Sequence, residues 1–132
     1  MSVFVDTSAF FAILDGDDAN HPKAESRWLN LLSSELILVC SNYVLVESFA
    51  LIQRRLGIEA LRVFQEDILP LINVEWIDEP THLAGVTALL AVARKELSLV
   101  DCTTFVIMRK RGLKDAFTYD SHFAAEGFNC LT

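Results

Sequence analysis

Glu96-Leu-Ser-Leu-Val-Asp101-Cys-Thr-Thr-Phe-Val-Ile-Met108, then the basic run Arg109-Lys-Arg-Gly-Leu-Lys114, then Ala116-Phe-Thr-Tyr-Asp120-Ser-His-Phe123, is the stretch whose reading decides the fold. Ser98 reads as a helix start, and the basic run as a helix end that suits the helix dipole. Ala116–Tyr119 reads as a strand, with a short helix beginning at Ser121-His122-Phe123. Asp101 and Asp120 each stand alone inside an apolar segment. An ionised carboxylate is costly to remove from water unless it is paired or holds a cation. Asp101 falls in a first helical turn, where the dipole favours an acid. A capping role therefore competes with a functional one.

The same pattern extends toward the N-terminus. Val3-Phe4-Val5 is a short buried strand, and Phe10, Phe11, Ile13 and Leu14 follow at helical spacing. Asp6, between them, is the only charge in the first fourteen residues. It is either the N-cap of that helix or a functional acid at the carboxyl end of a strand. Pro22–Ser33 is an amphipathic helix with Ala24, Trp28, Leu31 and Leu32 inward. Leu36–Cys40 is a second strand, and Ser41-Asn42 caps a helix that ends near Leu56-Gly57. Glu47 is the only charge between Val44 and Ile52, on a helix too apolar to face solvent freely. Ile58–Leu69 is a further helix that Pro70 ends or kinks. Asn73–Ile77 reads as an edge strand, Asp78 opens a helix to about Arg94, and Phe128–Leu131 is a short last strand. His21 and His82 read as surface residues; His122 reads as a surface residue too, with substrate contact or metal binding as the alternatives.

Strands alternate with helices, which implies a mainly parallel sheet of four to five strands covered on both faces. Residues 1–132 read as one domain. Right-handed crossovers put every strand's carboxyl end on one rim. Asp6, Glu47, Asp101 and Asp120 can all converge on that rim.

The bulk numbers narrow the function. No apolar run reaches the roughly 18 residues of a membrane helix, and the N-terminus does not read as a signal peptide. Cys40, Cys102 and Cys130 lie in apolar segments without metal-ligand spacing, as expected of reduced thiols in a cytoplasmic protein. A net charge of −7 is awkward for a nucleic-acid binder. It is eased if four acids hold two divalent cations, since −7 + 4 = −3. Four carboxylates in one apolar-walled pocket would stay partly protonated without cations. Mg²⁺ and Mn²⁺ prefer such oxygen ligands and support in-line displacement at phosphorus. The sequence has no zinc spacing, phosphate-binding glycine loop or nucleophile elbow.

Val5-Asp-Thr-Ser8, the helix-borne Glu47, Leu97-Ser-Leu-Val-Asp101 and Thr118-Tyr-Asp-Ser-His-Phe123 together resemble the PIN-domain nucleases, and among them the small VapC-type toxins of toxin–antitoxin pairs. The resemblance implies a three-layer α/β/α sandwich and an Mg²⁺- or Mn²⁺-dependent endoribonuclease using one or two ions. It implies a homodimer with RNA as substrate and a small antitoxin protein as inhibitor. By position, Asp6, Glu47, Asp101 and Asp120 are the acidic quartet, with Asp6, Asp101 and Asp120 as direct metal ligands. Glu47 would help hold a second metal or activate the water. Thr7 and Thr118 supply the supporting hydroxyls. Some relatives carry a further acid where His122 stands. Arg54, Arg55, Arg109, Lys110 and Arg111 are candidate RNA contacts.

Two other readings compete. A non-catalytic module with the same fold would bind RNA or a basic peptide without cleaving. A phosphatase or phosphoacceptor would use Asp6 as nucleophile, but no lysine stands in an apolar segment to meet the phosphate.

Overall fold

The computed structural model describes Met1–Thr132. β1 (Ser2–Val5) runs through its middle, with Val3, Phe4 and Val5 all fully buried. Successive strand side chains point to opposite faces, so three buried neighbours in a row require cover on both sides. β2 (Ile37–Ser41) and β3 (Asn73–Glu75) add to one edge of β1, and β4 (Asp115–Phe117) and β5 (Asn129–Leu131) to the other. The order is β3-β2-β1-β4-β5 and every pairing is parallel. The chain first builds outward from β1 toward β3, then crosses back to β4. The carboxyl ends of β1 and β4 therefore flank a topological switch point, the place where open α/β sheets form a crevice.

The helices are α1 (Thr7–Leu14), α2 (His21–Ser33), α3 (Asn42–Leu56), α4 (Ile58–Val63), α5 (Glu79–Val92), α6 (Leu99–Arg111) and α7 (His122–Ala125). Their ends follow from the sequence. Ser41 Oγ accepts from Val44 N at 3.1 Å to start α3. Asp78 Oδ1 accepts from Thr81 N at 3.0 Å to start α5. Gly112, at φ 68°, stops α6 in the left-handed conformation that glycine adopts without a Cβ clash. Phe64 anchors the core beside the sheet, with its ring edge-on to Phe10 at 5.0 Å and to Phe49 at 5.3 Å. α5 lies tight against α6. A Cβ at Gly85 would stand 2.4 Å from Thr103 Cγ2. That contact fixes the first turns of α6, the ones carrying Asp101.

Several expectations shift. Leu32, expected inward, is 40% exposed, while Ala24, Trp28 and Leu31 are buried as the spacing implies. The helix expected over Ile58–Leu69 is broken. α4 gives way to a π turn at Phe64–Ile68 and a 3₁₀ turn at Leu69–Leu71, because Pro70 offers no N–H and the chain must swing into β3. α5 ends at Val92 with Ala93 in the left-handed region (φ 52°), so Arg94 and Lys95 lie beyond it rather than in its last turn. β4 stops at Phe117, not Tyr119, because Asp120 N turns to Thr118 Oγ1 (3.0 Å) instead of a strand partner.

Candidate functional site

The switch point is where the lone acids meet. Asp6 directly follows β1 and is the N-cap of α1. It is only 5% exposed. Its Oδ2 accepts from Ser8 Oγ at 2.9 Å, Thr118 Oγ1 at 3.2 Å and Ser8 N at 3.4 Å. All three donors reach the same oxygen, which leaves Oδ1 free as a ligand atom. Ser8 Oγ also accepts from Tyr119 N at 2.9 Å, so one hydroxyl ties the turn after β1 to the turn after β4.

Asp101 arrives from α6. Ser98 Oγ accepts from Asp101 N at 3.1 Å, and Asp101 Oδ2 accepts from Ser98 N at 3.0 Å, a reciprocal capping box. The structural and functional readings of Asp101 thus hold together: one oxygen caps the helix and the other is free. Asp120 lies in the turn between β4 and α7, where its Oδ1 accepts from His122 N at 2.9 Å. Asp101, Asp120 and His122 each place a ligand atom within 4.8 Å of the others. His122 Nδ1 is 2.8 Å from Asp120 Oδ1. The approach lacks the alignment of a hydrogen bond, which leaves that buried nitrogen unpartnered.

Glu47, half-buried on α3, completes the acidic wall. Burial raises the Asp6 carboxyl to about 6; the Ser8 hydroxyl and amide oppose this, and the charges of Glu47 and Asp101 add to it. Burial raises Glu47 too; the Thr7 hydroxyl opposes it, and Asp101 and Asp120 reinforce it. Asp6 thus feels Glu47 and Asp101, and Glu47 feels Asp101 and Asp120. The tight cluster, however, is Asp101, Asp120 and His122, with Asp6 and Glu47 bordering it. Free carboxylate oxygens, repulsion that a cation would relieve and an orphaned imidazole nitrogen fit a divalent metal ion.

The supporting residues sort less simply. Thr118 does bridge two acids, donating to Asp6 and accepting from Asp120 N. Thr7 instead bonds Ser48 Oγ (2.9 Å) and Val44 O (3.4 Å), which holds α1 to the turn of α3 carrying Glu47. The basic residues are not brought to the acids. Arg109 and Arg111 lie at the other end of α6, about 12–15 Å along its axis at 1.5 Å per residue. Arg109 pairs with Glu126 at 2.6 Å and lies over Phe128, while Arg111 pairs with Glu75 at 2.8 Å. Lys110 is exposed beside them. Arg54 and Arg55 are exposed in the last turn of α3, about 10 Å beyond Glu47.

Ser8 escaped the sequence reading, and His122 reads there first as a surface residue and only second as a metal binder. The short α7 folds His122 back onto Asp120, close enough to Asp120 and Asp101 for the three to hold a metal ion. Ser8, two residues after an N-cap acid, signalled itself only through that spacing. His21 is also no free surface residue: its Nδ1 meets Ala12 O at 2.8 Å and its Nε2 lies 3.3 Å from Glu25. His82 is half-buried against the Tyr43 hydroxyl.

The PIN-domain family model matches residues 3–128. The 23S rRNA-specific endonuclease VapC20 of Mycobacterium tuberculosis, in strains CDC 1551 and H37Rv, is 32% identical over 127 residues, covering 96% of this chain and 95% of that one. The crystal structure of that protein, described as a sarcin-ricin loop cleaving toxin, superposes with a TM-score of 0.85 over the same shares of the two chains. FitAcB from Neisseria gonorrhoeae superposes with a TM-score of 0.70 at 17% identity, over 100% of this chain and 97% of that one, a likeness of fold alone. The buried carboxylate between β1 and β4, the five parallel strands and these matches lead to one conclusion: the chain belongs to the PIN-domain family.

Proposed function

We propose that this protein is a metal-dependent endoribonuclease and the toxin of a toxin–antitoxin pair. The observation that carries the reading is the convergence of Asp6, Glu47, Asp101, Asp120 and His122 at the switch point, each with an atom left free by its structural hydrogen bonds or a carboxyl whose pKa burial and like charge raise. Asp101, Asp120, His122 and Asp6 Oδ1 would hold the ion. One or two Mg²⁺ or Mn²⁺ ions there supply Lewis acidity and charge neutralisation at the scissile phosphate. Glu47, its carboxyl raised by burial and like charge, accepts the proton of the attacking water. Ser8 and Thr118 fix Asp6 from one side, and Ser98 fixes Asp101, so the acids are positioned before substrate arrives. The substrate is RNA, and ribosomal RNA is the first to try, given that the VapC20 relative is a 23S rRNA-specific endonuclease.

Uncovered apolar surface supports protein partners. Val46 is 70% exposed, Trp76 72% and Leu90 73%. Side chains of this size left open on several elements fit a homodimer and an inhibiting antitoxin. Incubating the purified chain with ribosomal RNA tests the proposal. Cleavage with Mg²⁺ or Mn²⁺, abolished by EDTA and by stoichiometric antitoxin, is the expected result. Intact RNA under all metal conditions overturns it and favours the non-catalytic module.

A further inference from the structure

An acidic chain that cleaves RNA needs somewhere for the phosphates to lie, and the basic run of α6 is far from the acids and largely ion-paired. Two neighbouring grooves stand nearer. One, of about 230 Å³, is walled by Thr118, Tyr119, Asp120 and Ser121 and so reaches Asp120 of the acidic cluster. The other, of about 450 Å³, is lined by Lys23, Ser26, Arg27 and Asn30 of α2. Both are lined by Thr132, so they adjoin at that residue, and together they form a trough between Asp120 and α2.

The α2 wall is built from spacing. Lys23, Ser26, Arg27 and Asn30 recur at intervals of three and four, which sets them on one face of the helix. None is acidic. The helix's one acid, Glu25, is turned aside toward His21, 3.3 Å away. Arg27 is held over the trough by long contacts of 3.4 Å from Nε and Nη2 to Thr132 O. Arg27 is near enough to the Tyr119 phenol to oppose in part the rise that burial gives it. Asp18 is the acid facing the same phenol, and its Oδ1 is engaged by Asn20 N at 2.7 Å. The Tyr119 hydroxyl is buried without a partner. The trough thus offers two cations, two neutral polar side chains and an aromatic wall, ending at the acidic cluster. A single RNA strand takes that combination.

We infer that Lys23 and Arg27 bind the backbone of the RNA strand as it leaves the metal site along the α2–Tyr119 trough. This rests on the endoribonuclease reading. Lys23 is exposed, and Arg27, half-buried, makes only the long contacts to Thr132 O, so their removal leaves the fold intact. Lys23→Ala/Arg27→Ala should raise KM for RNA cleavage about tenfold with kcat unchanged, because two charge-assisted phosphate contacts are lost. In metal-free binding to a short fluorescein-labelled single-stranded RNA, the slope of log K against log salt should flatten by about 1.4, at roughly 0.7 per contact. Arg27→Lys should restore part of both. Arg62→Ala/Lys95→Ala removes the same charge elsewhere and should change neither. If wild-type protein cleaves no RNA, the endoribonuclease reading fails. If it cleaves, but the double variant keeps its KM and salt slope or the control variant matches its losses, the trough is not the RNA path.

Discussion

The two ends of α6 carry charge for different physical reasons. At the N-terminal end a single acid, Asp101, caps its own helix with one oxygen and turns the other toward Asp120 and His122. At the C-terminal end three cations complement the dipole. Two meet half-buried partners, Arg109 at Glu126 and Arg111 at Glu75. A lone charge in an apolar context marks a site; a cluster of charge in a polar context marks a helix end. The sharpest way to break this contrast is to neutralise the lone acid. Asp101→Asn keeps the backbone acceptor geometry but removes a ligand charge, and metal-site charge stabilisation is worth several kcal/mol. We expect a loss of RNA cleavage of about a thousandfold, with unchanged circular dichroism. Single-turnover cleavage assays would decide it, and activity within tenfold of wild type would remove Asp101 from the site.

The acid end should also be unstable for the same reason that it is functional. The Asp6 carboxyl rises from 3.8 to about 6, chiefly through burial. A raised carboxyl takes up a proton on folding, so its stabilising contribution is complete below about 3.8 and is lost as pH climbs through about 6. The loss from this one group amounts to about 3 kcal/mol. Asn at this position still accepts from Ser8 and Thr118 and remains a good N-cap. Asp6→Asn should therefore be more stable than wild type in urea at pH 8 with EDTA, and the two should converge near pH 4. Divalent cations should stabilise wild type and not the variant. A variant less stable than wild type at pH 8 would show that the site is not strained by its own charge.

What could be read from the chain follows the same division. Val3-Phe4-Val5 told the central strand, because a β-branched and aromatic run has few alternatives, while Asp6 alone left capping and functional roles open. Gly57 and Gly112 told the helix ends, since both are at positive φ. Pairing and geometry beyond neighbouring residues were not legible. His122 has no apolar contrast to betray it, and only the fold of α7 onto Asp120 brings it beside the acids. Thr7 and Thr118 looked alike, each a hydroxyl beside an acid. Yet one holds α1 to α3 and the other bridges Asp6 to Asp120. The basic run could not be placed because its partners, Glu75 and Glu126, are distant in sequence and contributed by other elements.

The smallest expected effect lies at the basic end, and it is the one that separates helix chemistry from RNA chemistry there. Exposed ion pairs are worth little, typically up to about 1 kcal/mol. Arg109 adds a cation–π contact, 5.3 Å from the Phe128 ring and 6.0 Å from Phe105. Arg109→Ala should therefore cost about 1 kcal/mol of unfolding free energy, and Arg111→Ala about half of that or less. Both should lose less stability at high salt, where screening already weakens the pairs. Neither should change the KM or the salt dependence of RNA cleavage, because these guanidinium groups face Glu126 and Glu75 rather than the rim with the acids. A several-fold rise in KM for either variant, with stability intact, would mean that the pairs open to receive RNA and that both ends of α6 serve the substrate.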